Sequence, residues 1–160
     1  MLKTRFTELV GCSVPIQQAG MGSPANPRLA AAVAEAGGLG TVSVYGRYGG
    51  PPENIAKMLG RASRQTSGPI GANFLRPSAD LDLGVTECIA AAASQVNVVD
   101  FFWDDPNAGL IQIVHDAGAL ACWQVGSREE ALAAADAGCD FLIAQGIEAG
   151  GHVRGTSGLL

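Results

Sequence analysis

Phe141-Leu142-Ile143-Ala144 runs directly into Gln145-Gly146-Ile147-Glu148-Ala149-Gly150-Gly151-His152. A short apolar run that breaks into a glycine-rich loop reads as a buried parallel strand delivering a binding loop at its carboxyl end. Gly150 and Gly151 remove side chains where a backbone has to come close to a ligand, and His152 sets beside that gap the side chain whose ordinary pKa lies nearest neutrality.

Moving back along the chain, the same unit recurs. Apolar runs begin near Val14, Gly38, Pro69, Val96, Ala119 and Cys139, and alanine-rich stretches alternate with them: Arg28 to Ala36, Pro52 to Arg64, Leu83 to Ser94, Ala108 to Asp116 and Arg128 to Ala137. The runs recur at intervals of about 25 residues, the length of a strand, a crossover helix and two short loops, which is a β-α repeat and therefore a parallel sheet. Three helices are expected to end at Ala36-Gly37, Ala117-Gly118 and Ala137-Gly138, where a left-handed glycine closes the helix. Ser127-Arg128-Glu129-Glu130 reads as a capping box with Glu130 reaching back.

Composition bounds the rest. The chain has 160 residues, 48% hydrophobic and 16% charged, with 22 glycines, 8 prolines and a net charge of -5. That describes a globular chain forming one domain. The acidic balance and the absence of a Lys/Arg cluster argue against nucleic acid and anionic membranes as partners. No run reaches the roughly 20 apolar residues that span a bilayer, and Met1-Leu2-Lys3-Thr4-Arg5 lacks a secretory apolar segment, so a cytoplasmic location is expected. Cys12, Cys88, Cys122 and Cys139 show no CxxC spacing and read as reduced thiols rather than metal ligands or disulfides.

Two parallel architectures compete. Gly20-Met21-Gly22-Ser23-Pro24-Ala25 fits the dinucleotide pattern G-x-G-x-x-A, but Pro24 and Pro27 delay the helix to Asn26, with Pro27 at its first position. Val42-Ser43-Val44 also runs into Tyr45-Gly46-Arg47 with no acidic residue to hold a ribose. The closed (β/α) barrel fits better, because polar residues collect at the strand ends, where barrel active sites sit. Gln17 and Gln18 fall on the first run, Asn73 on the third, Asp100 and Asp104 on the fourth, Gln124 on the fifth and Gln145 on the sixth. Neutral amides dominate this list, Gln17, Gln18, Asn73, Gln124 and Gln145, and suit a flat, polar, formally neutral ring system, since amides both donate and accept. A simpler reading, in which each amide satisfies a nearby loop backbone, stays open beside this one. Trp103 and Trp123 fit either a pocket wall or the core, Glu148 fits a loop-holding role, and His115 a favourable contact at a helix carboxyl end.

Pro15-Ile16-Gln17-Gln18-Ala19-Gly20-Met21, Gly71-Ala72-Asn73-Phe74, Trp123-Gln124-Val125-Gly126-Ser127 and the Ala144-to-His152 loop together resemble the nitronate monooxygenases, once called 2-nitropropane dioxygenases. The resemblance implies an FMN-dependent eight-stranded α/β barrel acting on a small nitronate or nitroalkane with O2. It implies Asn73, Gln145 and Gly150 on the flavin, the Ala19-Gly20-Met21 loop against its ring, and His152 as catalytic base. Where the family commonly has proline before the loop methionine, this chain has Gly20. The family's relatives include quinone reductases and a flavin-dependent enoyl-ACP reductase, so an NAD(P)H-dependent flavin oxidoreductase is the alternative activity. A non-catalytic half-barrel needing a partner is a third.

Eight β-α units need roughly 200 residues, and typical barrels hold about 250. The expectation is therefore an incomplete barrel of about six strands and five helices, with residues 1–160 the amino-terminal part of a single FMN-binding barrel domain. Loops after the seventh and eighth strands usually grip the phosphate, so weak FMN retention is expected of this chain. Unpaired sheet edges would favour self-association.

Overall fold

In a computed structural model that describes residues 3–44, 51–77 and 84–159, the chain forms a β-α repeat around one parallel sheet. Met1-Leu2, Tyr45-Gly46-Arg47 and Leu83, which figure in the sequence reading, lie outside the described residues. The elements in order are α1 (Arg5–Val10), α2 (Pro27–Glu35), β1 (Gly40–Ser43), α3 (Pro52–Ser63), β2 (Ile70–Leu75), α4 (Val85–Ala93), β3 (Val98–Phe102), α5 (Ala108–Asp116), β4 (Leu120–Val125), α6 (Arg128–Asp136) and β5 (Phe141–Ala144). The sheet order is β1-β2-β3-β4-β5, every pair parallel. A sheet in which each strand lies beside the next is the wall of a (β/α) barrel, and the molecule is a partial barrel.

Local chemistry sets the boundaries. Asn26 caps α2 by accepting from the amides of Arg28 and Leu29, and Pro27 opens the helix, since its missing N–H is one that no helix uses there. Gly37, Gly118 and Gly138 stand at φ 100, 84 and 103, the left-handed stops expected after α2, α5 and α6. Ser127 caps α6 at the amide of Glu130, while Glu130 Oε2 reaches one residue further back than a capping box requires and accepts from Gly126 N at 2.8 Å.

Two expectations need correction. The first apolar run, near Val14, adds no strand to the sheet: it makes a single parallel bridge, Gln17 to Leu39, and the sheet has five strands rather than six. Pro15 has no N–H to donate and the Ile16 amide turns back to Val14 O, so the run pairs over one repeat before leaving the sheet at Ala19. The helices number six among the described residues rather than five, because α1 precedes them. Its signal is Thr4 and Thr7, which cap each other reciprocally.

Alternation along the strands builds two cores. Val99, Phe101, Ala121, Trp123 and Val125 point to the helices, where Ile55, Leu59, Ile89, Ile111 and Val114 bury against them. Trp123 and Phe101 lie 4.8 Å apart between ring centres, and Phe74 stands 6.1 Å from Phe101. The intervening residues Val98 and Cys122 face the other way and pack with Leu39, Cys12 and Val10 of α1. Phe6 of α1 meets Phe141 edge-on at 5.5 Å, so α1 plugs the barrel interior below the strand ends.

Candidate active site

Above this plug the inward face of the sheet turns polar. Ser43, Asn73, Asp100 and Cys122 stand in one register row across β1 to β4. Asn73 Nδ2 donates to Asp100 Oδ2 at 3.2 Å, both residues being buried. Burial pushes the Asp100 carboxyl up from 3.8 to about 7, with the Asn73 hydrogen bond opposing the rise, and its Oδ1 has no partner among the described residues. Sequence reading placed Asp100 at a strand end without seeing that it supports Asn73; the signal available was an acid inside an apolar run.

One step further out lies a cleft of about 670 Å³ lined by the strand ends and their loops. It gathers Ala19, Gly20 and Met21 from the first loop, Asn73, Gln124 and Gln145 from strand ends, and Gly150, Gly151 and His152 from the loop after β5, whereas Gln17, Gln18, Asp100 and Asp104 do not line it. Gly22, Ser43, Leu75 and Phe102 line it too, and none of them figured as a candidate. Leu75 and Phe102 are the last residues of β2 and β3, so a period-two count from Asn73 and Asp100 would have found them.

The amides differ in what they have left to offer. Gln145 donates from Nε2 to His152 O at 2.8 Å and accepts at Oε1 from Arg154 N at 3.0 Å, so its side chain spans the histidine loop. For Gln145, then, the loop-holding reading describes the geometry. Gln124 faces the cleft with no hydrogen bond to a described residue. Asn73 is wedged, for a Cβ built at Gly20 would stand 2.2 Å from its Oδ1, and a proline there could not coexist with this rotamer. The glycine that departs from the resembled pattern is what lets the first loop touch Asn73.

The histidine loop returns tightly onto the sheet. A Cβ at Gly126 would meet Gly155 N at 2.6 Å, and one at Gly155 would meet Gln145 O at 2.6 Å, so backbone touches backbone at both places. His152 is exposed on the cleft wall, its ring edge-on to Trp103 with centres 5.6 Å apart. Trp123 by contrast is fully buried and donates to Asp104 O at 3.1 Å, a core residue. Glu148 folds over Gly146 and accepts from Leu159 N, holding its loop. His115 pairs with Asp140 at 2.9 Å at the end of α5 and does not line the cleft.

The residues present fit a flavin. Cβ positions at Gly22 and Gly150 meet no described residue within 4 Å, and Gln124, also at the cleft, offers a donor and an acceptor that no described residue uses.

The chain is a parallel barrel wall with an amide- and glycine-lined cleft at its strand ends, the end at which barrels of this kind carry their sites. The family model for nitronate monooxygenase matches residues 3–158, and the chain belongs to that family. It is 33% identical to a (3aS,4S,5R,7aS)-5-hydroxy-7a-methyl-1-oxo-octahydro-1H-indene-4-carboxyl-CoA dehydrogenase of Rhodococcus jostii, over 94% of this chain and 41% of that protein. Among solved structures, FabK from Thermotoga maritima superposes with a TM-score of 0.85 at 31% identity, over 99% of this chain and 48% of that one. Nitroalkane oxidase from Streptomyces ansochromogenes gives 0.77 at 29% identity, over 93% and 50%. The chain thus spans about half or less of each of these three proteins. No helix among the described residues is long and apolar enough to cross a membrane.

Proposed function

We propose that this chain carries the proton-handling side of an FMN-dependent oxidoreductase that oxidises alkyl nitronates or nitroalkanes with O2, His152 acting as general base. The observation behind this reading is that His152 faces the same cleft as Asn73, Gln124 and the open glycines, with neither ring nitrogen hydrogen-bonded to a described residue. Membership of the nitronate monooxygenase family supports it.

Asn73, Gln124, Gly150, Gly151 and the Ala19-Gly20-Met21 loop would hold the flavin, whose neutral ring edge both gives and takes hydrogen bonds. When bound, the flavin supplies the electron-accepting chemistry and passes electrons to O2. The rest falls to the protein. A neutral nitroalkane must lose the proton next to its nitro group, and an imidazole nitrogen of His152 takes it. A preformed nitronate has already lost that proton, so toward it His152 serves only to bind an anion. Leu75 and Phe102 give the cleft an apolar side for a small alkyl group.

A second reading keeps the fold and flavin but draws electrons from NAD(P)H toward a quinone or an enoyl thioester. The likeness to a relative named as a carboxyl-CoA dehydrogenase supports only its thioester element, as a substrate class for redox chemistry. Oxygen uptake separates the two: uptake with ethylnitronate and no pyridine nucleotide supports the first, whereas NAD(P)H-dependent quinone reduction without nitronate turnover would sink it.

A further inference from the structure

Arg154 closes a network that converges on the histidine loop from three directions. Its Nε donates to Glu130 Oε1 at 2.6 Å and its Nη2 to Asp105 Oδ1 at 2.6 Å, while Nη1 donates to the carbonyl of Trp103. Its own backbone N–H donates to Gln145, whose amide in turn holds the His152 carbonyl. Glu130 uses its other oxygen on Gly126 N at the end of β4. One guanidinium therefore ties the loop after β5 to the start of α6 and to the turn after β3. A rigid planar fork is the group that can serve three acceptors at once; a lysine ammonium is a single point of charge.

The tie ends at an unusual backbone. Trp103 has φ 87, a left-handed conformation that costs a bulky residue of order 1–3 kcal/mol and persists where surrounding contacts hold it. Its carbonyl is what Arg154 grips, and its ring is what His152 packs against. Phe102, a wall of the cleft, backs the same indole edge-on at 5.5 Å.

We propose that Arg154 is a positioning residue for His152: it holds Trp103 in its left-handed turn and the histidine loop in place, so that the imidazole presents to the cleft at a set angle. Arg154 does not line the cleft and acts only through Trp103, Gln145 and the loop backbone. Its kinetic consequence rests on the reading of His152 as base; its structural content does not.

The chain has only two histidines, which makes a direct test possible. In a proton–carbon spectrum of the flavin-free chain, two imidazole Cε1–H resonances appear, and His152→Asn assigns them. The His152 resonance should be displaced by the Trp103 ring current. In Arg154→Gln and Arg154→Lys that displacement should collapse, while the His115 resonance, fixed by Asp140 away from the cleft, stays where it is and reports an intact fold. A His152 resonance unmoved in the folded Arg154→Lys protein overturns the proposal, and that variant decides should Arg154→Gln fail to fold. In the flavin-loaded protein, kcat/KM for nitroethane should fall roughly 10- to 100-fold in Arg154→Lys, the scale of a misplaced catalytic group. The loss should vanish in a His152→Asn background and be absent for preformed ethylnitronate. An equal loss in both backgrounds means a merely structural role. If the wild type, with FMN binding verified by flavin fluorescence, oxidises neither substrate, the nitronate reading fails and the spectrum still decides the positioning.

Discussion

Asp100 should make the flavin-free fold lose stability as pH rises, and replacing it with asparagine should abolish that loss. The carboxyl is buried beneath Asn73 with Oδ1 unpartnered, and burial raises it from 3.8 to about 7, partly offset by the Asn73 hydrogen bond. Well below its ordinary value of 3.8 the group is protonated in both the folded and the unfolded chain and contributes no pH dependence. As pH climbs from about 4 to 7 the unfolded chain releases the proton first, so the unfolded state gains; above about 7 the penalty is complete. A shift of about three units at 1.36 kcal/mol each amounts to about 4 kcal/mol. Asp100→Asn keeps the acceptor for Asn73 but introduces an N–H with no partner, a pH-independent cost of about 1–3 kcal/mol. Urea denaturation of both proteins at pH 4 and pH 8 isolates the effect, since all other titrations cancel in the difference. The variant should gain about 4 kcal/mol on wild type between the two conditions. A difference that stays flat, or that moves in wild type's favour as pH rises, would refute the account of Asp100 as an uncompensated buried acid.

Other expectations concern the cleft. Asn73→Ala and Gln124→Ala should each weaken FMN binding by about 1 kcal/mol, the worth of a single hydrogen bond, read by flavin fluorescence titration; unchanged affinity in both would make these amides structural. Gly20→Ala should cost about 1–3 kcal/mol of stability by driving a methyl into Asn73, and most of that cost should disappear in an Asn73→Gly background; a full cost in both backgrounds would place the strain elsewhere.

The repeat of apolar runs and alanine-rich stretches made the parallel sheet legible, because a parallel strand buried on both faces has to be apolar throughout. The helix stops at Gly37, Gly118 and Gly138 and the caps at Asn26 and Ser127 were legible for the same reason: each rests on residues adjacent in the chain. The first run was misread because apolar content does not reveal how many N–H groups find a partner, and Pro15 and the Ile16 turn limit the pairing to one bridge. Within the cleft, residue type and strand-end position brought together His152, Asn73, Gln124 and the glycines. The roles that escaped notice are long-range. Arg154 meets Trp103 and Asp105 from about fifty positions away, and Asp100 meets Asn73 across neighbouring strands, so neither pairing leaves a mark in local sequence.

As the base proposed above, His152 would remove a proton which only the neutral substrate carries. Oxygen uptake by the flavin-loaded wild-type and His152→Asn proteins, measured with nitroethane and then with preformed ethylnitronate, tests it most directly. The account predicts a loss of about 10²-fold or more on nitroethane, the scale of general-base catalysis, with ethylnitronate turnover nearly unchanged. Equal losses on the two substrates would contradict it and leave His152 as an anion-binding group.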